Sequence, residues 1–350
     1  MPMSIQRLVR PNIQRLQPYS SARSEFKGQA DIFLDANENP FDTGLNRYPD
    51  PLQRELKTAI SSLKQLPAEN IFLGNGSDEV IDLLIRIFCE PREDRIMTLP
   101  PTYGMYKVSA GIADVAVQEV PLNADFQPDP VAILQAADNH TKILFLCSPN
   151  NPTGNDMDPT IVNRLIQEFP GIVVVDEAYI DFSQQPSFVQ VIEQHANLVV
   201  MQTFSKAWGL AGIRLGMAFT NPEIIALLNK VKPPYNVNEL TQKAALDALQ
   251  RADEQERMVA TLLEERQKLA EALPKLPYVA EVWPSQANFL LVRVEDPQAL
   301  YHHLVDQKII VRDRSNVHLC AGALRITVGT PDENQRLLET LRAYTAKARS

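Results

Sequence analysis

"TKILFLCSPNNPTG", residues 141–154, joins an apolar run to a polar turn built from asparagine, proline and glycine. An apolar run with no polar alternation is typical of a strand that is covered on both faces, as in a parallel sheet. Similar runs occur in "NIFLGNG", "RIMTLPPTY", "GIVVVDEAYI" and "ANLVVMQTFS", separated by helix-like stretches such as "SDEVIDLLIRIF" and "PTIVNRLIQEF". This alternation predicts an α/β fold with a mainly parallel sheet covered by helices on both faces.

The rest of the chain predicts two further parts. Residues 1–40 are polar and punctuated by proline, which predicts an N-terminal arm outside the core, and residues 41–237 form the predicted large domain. After "KPPYN", where prolines end a helix, comes a charge-rich helical tract at about 238–273. The short β-like runs "YVAEVWPS", "NFLLVRV", "KIIVRD" and "ALRITVG" follow it. Residues 238–350 are therefore predicted to form a smaller α/β domain.

Composition excludes several classes of protein. The net charge of −9 over 350 residues argues against nucleic acid or an anionic membrane as the main partner. Cys89, Cys147 and Cys320 are scattered, without metal-ligand spacing, and predict buried thiols in a reducing compartment and no metal site. The start lacks the apolar core of a secretory signal, and no apolar stretch reaches the ~20 residues that span a bilayer. The sequence thus predicts a cytoplasmic protein.

The turns "NNPTG", "DEAY" and "SKAWG" each lie where a predicted strand ends, and open α/β sheets bind ligands at that edge. Taken singly, each residue has an ordinary interpretation. Asp176 could cap a turn, Arg214 could form a surface salt bridge, and Lys206 could extend to solvent.

Taken together, these residues favour a pyridoxal phosphate pocket. Lys206 lies in the apolar stretch "FSKAWGLAGIRLG" (204–216). Desolvation there would lower the pKa of its amine and so favour the neutral form, which is the nucleophile. Arg214 is suited to binding a phosphate with two hydrogen bonds, and the helix start at Gly76-Ser77 offers backbone N–H groups to an anion. Asp176 could hold a protonated ring nitrogen.

The motifs resemble a known family. "LDANENP", "RYPDP", "GNGSDEVIDLLIRIFCEP", "PPTYGMY", "CSPNNPTG", "DEAYIDF", "FSKAWGLAGIRLG" and "LRITVGT" are similar, in order, to those of the fold-type I, class II aminotransferases. The resemblance spans about residues 18 to 334. It implies a seven-stranded type of sheet, pyridoxal 5'-phosphate as the cofactor and a homodimer as the active unit.

The resemblance also implies roles for individual residues. The implied catalytic residues are Lys206, which is linked to the cofactor and moves the proton, Asp176, which holds the ring nitrogen, and Tyr179. The implied cofactor-binding residues are Ser77, Asp78, Tyr103 (stacked on the ring), Asn151, Asp176, Tyr179, Thr203, Ser205, Lys206, Arg214 and, from the neighbouring subunit, Tyr48. The implied substrate-binding residues are Tyr19, Asn37, Arg312 and Arg325.

"PPTYGMY" and the pair "VRD" and "LRITVGT" resemble, more narrowly, the members that act on histidinol phosphate. The implied reaction exchanges an amino group between histidinol phosphate and 2-oxoglutarate, through glutamate, in histidine biosynthesis. Alternatives within this fold are an aromatic-amino-acid aminotransferase or a threonine-phosphate-type decarboxylase. Two further alternatives are a silent pyridoxal-phosphate-binding regulatory protein and a nucleotide-binding enzyme. The last rests on "GNGSDE", where Glu79 replaces the third glycine of the fingerprint.

Overall fold

The computed structural model describes residues 4–19 and 31–348; residues 1–3 and 20–30 of the predicted arm, and residues 349–350, lie outside that description. The α-helices are α1 (Pro11–Arg15), α2 (Arg54–Lys64), α3 (Ser77–Phe88), α4 (Met105–Ile112), α5 (Pro130–Ala136), α6 (Pro159–Glu168), α7 (Pro222–Val231), α8 (Glu239–Leu249), α9 (Ala252–Ala272), α10 (Pro297–Asp306) and α11 (Pro331–Ala348). Short 3-10 helices cover Ile5–Arg7, Ala68–Asn70, Ile180–Phe182, Phe188–Gln194, Ala211–Ile213 and Leu273–Lys275.

The strands form two sheets. They are β1 (Ile71–Asn75), β2 (Arg95–Thr98), β3 (Ala116–Glu119), β4 (Thr141–Cys147), β5 (Ile172–Asp176), β6 (Leu198–Thr203), β7 (Leu215–Thr220), β8 (Val279–Val282), β9 (Phe289–Val294), β10 (Arg312–Asp313) and β11 (Ala323–Thr327). The larger sheet has the order β1-β7-β6-β5-β4-β2-β3, and the smaller has the order β10-β11-β9-β8.

The larger sheet is mainly parallel, which confirms the prediction. The neighbours from β6 to β3 pair in parallel, whereas β7 runs antiparallel to both β6 and β1. The sequence did not predict β3 or β7. Strand β3 is a short edge strand with half-exposed residues. The glycines before β7 interrupt the apolar pattern from which a strand is predicted.

Helices cover both faces of this sheet, which explains the apolar runs. In β5, Val173 and Val175 pack in the apolar layer on one face, and Ile172 and Val174 pack in the layer on the other. Because successive strand residues point to opposite faces, a strand covered on both sides has no position left for a polar residue. The first polar side chain of β5 therefore comes at its last residue, Asp176.

The first described residues differ from the predicted arm. Ile5, Val9 and Ile13 are buried in the layer that contains α3. Arg10 fixes this segment to the end of α3 through a salt bridge to Glu90, with 3.0 Å between Nε and Oε2. The spacing of these apolar residues within a polar segment was the overlooked signal.

The predicted helical tract at 238–273 is two helices, α8 and α9, interrupted at Gln250–Arg251. Helix α8 packs on α2 of the large domain, and α9 packs on α11 and β9. The division at 237/238 thus remains a proposal, since α8 belongs with the preceding residues by its packing. The four β-like runs of the smaller domain form strands, and their sheet is antiparallel throughout.

Two properties complete the fold. Cys89, Cys147 and Cys320 are buried free thiols, as predicted, and burial raises the pKa of each thiol. Among the described helices, none is both long enough and apolar enough to cross a bilayer.

Candidate active site

A pocket lies where β4, β5 and β6 end. Its lining contains every predicted cofactor-binding residue except Tyr48. The lining residues are Ser77, Asp78, Tyr103, Cys147, Asn151, Asp176, Ala178, Tyr179, Thr203, Ser205, Lys206, Ala211 and Arg214. The parallel arrangement explains this convergence, because the polar turns that follow neighbouring parallel strands meet at one edge of the sheet.

Asp176 provides a buried negative charge at the floor of the pocket. Its side chain accepts hydrogen bonds from the Tyr106 hydroxyl at 2.6 Å and from the Ala178 N–H at 3.1 Å. Burial raises the pKa of the Asp176 carboxyl to about 6, although both hydrogen bonds act in the opposite direction. Among the described residues none forms a salt bridge to Asp176, so a cationic ligand group would relieve the cost of its burial.

Lys206 projects into the pocket from the loop after β6. Its neighbours Phe204 and Trp208 turn into the core, with 1% and 8% exposure, whereas Lys206 remains exposed within the pocket. The apolar residues that flank Lys206 therefore pack in the core, while the lysine itself lines the pocket. The pocket walls still lower the pKa of the Lys206 amine by desolvation, and Arg325 lowers it further. Its Nζ lies 5.6 Å from the centre of the Tyr179 ring.

Arg214 reaches the start of α3 because two glycines leave room. A Cβ on Gly76 would lie 2.6 Å from an Nη of Arg214, and a Cβ on Gly216 would lie 2.1 Å from the Ser77 nitrogen. Gly216 thus lets β7 pass directly against the helix start. This brings the Arg214 guanidinium and the first backbone N–H groups of α3 together, an arrangement that suits an anion.

Asp78 pairs with Arg214 and Tyr103. The distance from Arg214 Nη2 to Asp78 Oδ2 is 3.5 Å, and the Tyr103 hydroxyl donates to Asp78 Oδ1 at 3.1 Å. Burial and the Asp78 charge raise the pKa of Tyr103, which keeps this hydroxyl protonated. Asp78 therefore orients both side chains towards the pocket, and an anion bound there would meet Arg214 and the N–H groups.

Asn151 links the pocket to the smaller domain. Its Nδ2 donates to the Tyr179 hydroxyl at 3.1 Å, and its Oδ1 accepts from Arg325 Nη1 at 2.5 Å. Burial raises the pKa of Tyr179. Next to this junction is a cavity of about 570 Å³, and both Arg312 and Arg325 line it. The two arginines are opposite each other in the β10–β11 pairing.

The other three predicted site residues are not among those that line the pocket. Tyr48 and Asn37 lie in a separate surface depression, where Tyr48 stacks on Tyr235 with 4.4 Å between ring centres. Tyr19 is 73% exposed. Within a single chain these residues lie outside the pocket, so a role in the site would require a second subunit.

The chain matches the family model described as aminotransferase class I and II over residues 32–341, which is most of its length. The chain belongs to this family. The histidinol-phosphate aminotransferase of Cytophaga hutchinsonii is 56% identical over 348 residues, covering 98% of this aminotransferase and 100% of that protein. The enzyme of the same name from Bacteroides fragilis strain YCH46 is 53% identical, covering 97% and 99% respectively.

Solved structures share the fold of this aminotransferase. The histidinol-phosphate aminotransferase of Clostridium acetobutylicum superposes with a TM-score of 0.80 at 27% identity, covering 87% of this chain and 92% of that one. The enzyme of the same name from Sinorhizobium meliloti, solved in complex with pyridoxal-5'-phosphate, has a TM-score of 0.77 at 24% identity, covering 85% and 83%.

The residues of the pocket fit pyridoxal phosphate in charge and in hydrogen bonding. Asp176 offers the buried carboxylate that a protonated ring nitrogen needs. Arg214, the Ser77 N–H and the nearby hydroxyls of Thr203 and Ser205 offer donors to a phosphate. Lys206 offers an amine of lowered pKa at the open side.

One residue that acts on the site was missed by sequence reasoning. Tyr106 is fully buried and holds Asp176, while its ring stacks on Phe145 with 4.5 Å between centres. Its position in "PPTYGMY", one helical turn after Tyr103, was the available signal. Cys147, Ala178 and Ala211 also line the pocket and carried no such signal, because small apolar residues are common everywhere.

Proposed function

We propose that this aminotransferase uses pyridoxal 5'-phosphate to exchange an amino group between histidinol phosphate and 2-oxoglutarate, in histidine biosynthesis. The products are imidazole-acetol phosphate and glutamate. The observation that carries the proposal is the placing of an amine of lowered pKa, Lys206, and a buried carboxylate, Asp176, in one pocket beside an arginine-lined cavity. The names of the most similar relatives support the choice of substrate.

In this proposal four residues of the pocket have a defined task. The bound cofactor supplies an aldehyde that takes up the amino group and a ring that stabilises negative charge on the substrate carbon. Lys206 would hold the cofactor through its Nζ and, when that amine is free, would take up and return the proton of the substrate carbon at the same atom. Asp176 keeps the ring nitrogen protonated, and Arg214 with Ser77 holds the phosphate.

Arg325 is suited to binding the acidic group of either substrate. Its guanidinium can donate two parallel hydrogen bonds to a phosphate or to a carboxylate. The hydrogen bond to Asn151 orients it at the edge of the pocket, and Tyr179 and Asn151 together face the ring oxygen of the cofactor. The same residue can thus serve both halves of the exchange, with Arg312 beside it.

A panel of amino donors tests the choice of substrate. With 2-oxoglutarate as acceptor, we expect kcat/KM for histidinol phosphate to exceed that for phenylalanine by about a hundredfold or more. The phosphate of histidinol phosphate can accept more charge-assisted hydrogen bonds from the arginines than the carboxylate of phenylalanine, each contributing on the order of 1.5–3 kcal/mol. Glutamate formation is the measurement. Faster turnover of phenylalanine, or carbon dioxide release from threonine phosphate, would replace the proposal by one of its alternatives.

We further propose a cytoplasmic homodimer in which Tyr48 reaches the cofactor phosphate of the partner. The described residues between 32 and 48 expose Ile32, Phe33, Leu34, Phe41, Leu45 and Tyr48. Apolar side chains grouped in this way favour a protein contact. The three free thiols suit a reducing compartment.

Sedimentation equilibrium tests the dimer: we expect twice the chain mass of 39.3 kDa. Phe41→Ser should shift the equilibrium towards monomer, because a polar side chain in an apolar contact weakens it. Asp125→Ser, at an exposed position outside this segment, is the control. A wild-type monomer that is fully active would contradict both the dimer and the role of Tyr48.

A further inference from the structure

The cavity next to the pocket contains a third arginine, Arg314, that none of the roles above uses. The cavity is lined by Arg312, Arg314 and Arg325. Strand β10 ends at Asp313, and the Arg314 N–H still donates to the Ala323 carbonyl at 2.9 Å. Arg312 and Arg314 are two positions apart, a spacing that puts side chains on the same side of an extended chain, and Arg325 is opposite Arg312 on β11.

These three guanidinium groups have few partners within the protein. Within the described part of the chain, their side chains make one hydrogen bond, from Arg325 to the neutral amide of Asn151. The Nε atoms of Arg314 and Arg325 are both buried, and among residues 4–19 and 31–348 neither has a hydrogen-bond partner. The carboxylate in the cavity wall, Asp313, instead accepts from the N–H and the hydroxyl of Ser315, at 2.7 and 2.6 Å.

The arginines also repel one another. The pKa of Arg314 is lowered by burial and then by the charges of Arg325 and Arg312, and that of Arg325 is lowered by burial and by Arg312. Buried donors without partners and like charges close together both cost free energy. A ligand with several negatively charged oxygens would relieve both costs at once.

We propose that Arg314 is a specificity-determining residue that binds the phosphate of a phosphorylated amino substrate. One guanidinium satisfies the two oxygens of a carboxylate, whereas a phosphate monoester presents three oxygens and up to two charges. Arg325 is sufficient for the acidic group of an ordinary amino acid, and Arg314 supplies the additional donors that only the phosphate uses. This inference rests on the proposed function, since it concerns the substrate of the same site.

The test compares Arg314→Gln with wild type in the holoenzyme, using histidinol phosphate and phenylalanine as donors. We expect KM for histidinol phosphate, and its Kd measured by calorimetry, to rise about ten- to hundredfold, as for the loss of a hydrogen bond to a charged group. KM for phenylalanine should change less than about twofold, because its single carboxylate does not need Arg314. Arg314→Lys should restore part of the affinity, since lysine keeps the positive charge but lacks the paired N–H donors of the guanidinium.

The pH dependence separates phosphate binding from a structural role. A phosphate monoester loses its second charge below about pH 6. The ratio of the Kd values of Arg314→Gln and wild type should therefore fall several-fold between pH 8 and pH 5.5. A structural defect would leave this ratio constant. Arg342→Gln, an exposed arginine on α11, is the matched control and should behave as wild type.

The outcomes distinguish this inference from the proposed function. Three results would each overturn the role of Arg314: an equal rise in KM for both donors, an unchanged Kd for histidinol phosphate, or a ratio of variant to wild-type Kd that does not depend on pH. If wild type binds histidinol phosphate but does not transaminate it, the proposed function fails, and the calorimetric comparison still decides the role of Arg314. If wild type does not bind it at all, both are overturned.

Discussion

Replacing Lys206 by alanine is expected to lower the transamination rate of the holoenzyme at least about a thousandfold. The substitution removes both the amine that attaches the cofactor and the group that moves the proton, and a general acid–base catalyst alone contributes roughly 10²–10⁴-fold. Folding should be unaffected, because the Lys206 side chain is exposed within the pocket rather than packed in the core. The measurement is glutamate formation from histidinol phosphate at saturating cofactor.

Two further variants separate chemistry from charge. Lys206→Arg keeps a cation in the pocket but cannot attach the aldehyde, and we expect it to be as inactive as Lys206→Ala. Lys275→Ala removes an exposed lysine elsewhere and should retain wild-type activity. Borohydride treatment followed by mass spectrometry should fix the cofactor on the Lys206 peptide of wild type and on neither Lys206 variant. Near wild-type turnover by Lys206→Ala would refute the assignment.

Replacing Asp176 by asparagine is expected to have opposite effects on activity and on the stability of the cofactor-free protein. The amide has no negative charge to keep the ring nitrogen protonated, so the rate of the holoenzyme should fall by about 10²–10³-fold, the range seen when one charge-stabilising group is removed. The cofactor-free protein, however, should become more stable at neutral pH. The buried Asp176 carboxylate has a pKa of about 6, and its burial therefore costs free energy once it is ionised.

The pH dependence of this stability effect follows from the direction of the pKa shift. The folded state holds the Asp176 proton more tightly than the unfolded state, whose pKa is the ordinary 3.8. Stability of the wild-type apoprotein therefore decreases as the pH rises from about 4 to about 6, by up to about 3 kcal/mol at 1.36 kcal/mol per pKa unit. Asp176→Asn removes this decrease, so the stability gain should be present above pH 6 and absent below pH 4.

Urea unfolding of both apoproteins at pH 4 and pH 7.5 measures the effect. Asp125→Asn, the same substitution at an exposed position, should leave both midpoints unchanged. Adding the cofactor should reverse the order at pH 7.5, because the carboxylate then has a cationic partner in wild type alone. A variant that is less stable than wild type at pH 7.5 without cofactor would show that the hydrogen bond from Tyr106 outweighs the cost of the buried charge.

The sequence alone was sufficient for the large sheet and for much of the site. Apolar runs such as that of β5 predict strands covered on both faces, and the polar residues that follow them predict the ligand-binding edge. Asp176 and Lys206 could be identified because Asp176 ends, and Lys206 closely follows, a strand whose apolar character is visible in the chain. Arg214 could be identified because it lies in the same short stretch as Lys206. The pKa of Lys206 has the predicted direction, since desolvation by the pocket walls lowers it.

The tertiary structure decided whatever depends on contacts between distant parts of the chain. Arg325 meets Asn151 across 174 positions, and Tyr106 meets Asp176 across 70. No local pattern encodes such pairs, since they arise from how the smaller domain and α4 pack on the large sheet. Arg314 is the clearest case. In the sequence it is one arginine among many, and only the pairing of β10 with β11 places it in a cavity where no carboxylate of the described residues forms a salt bridge with it.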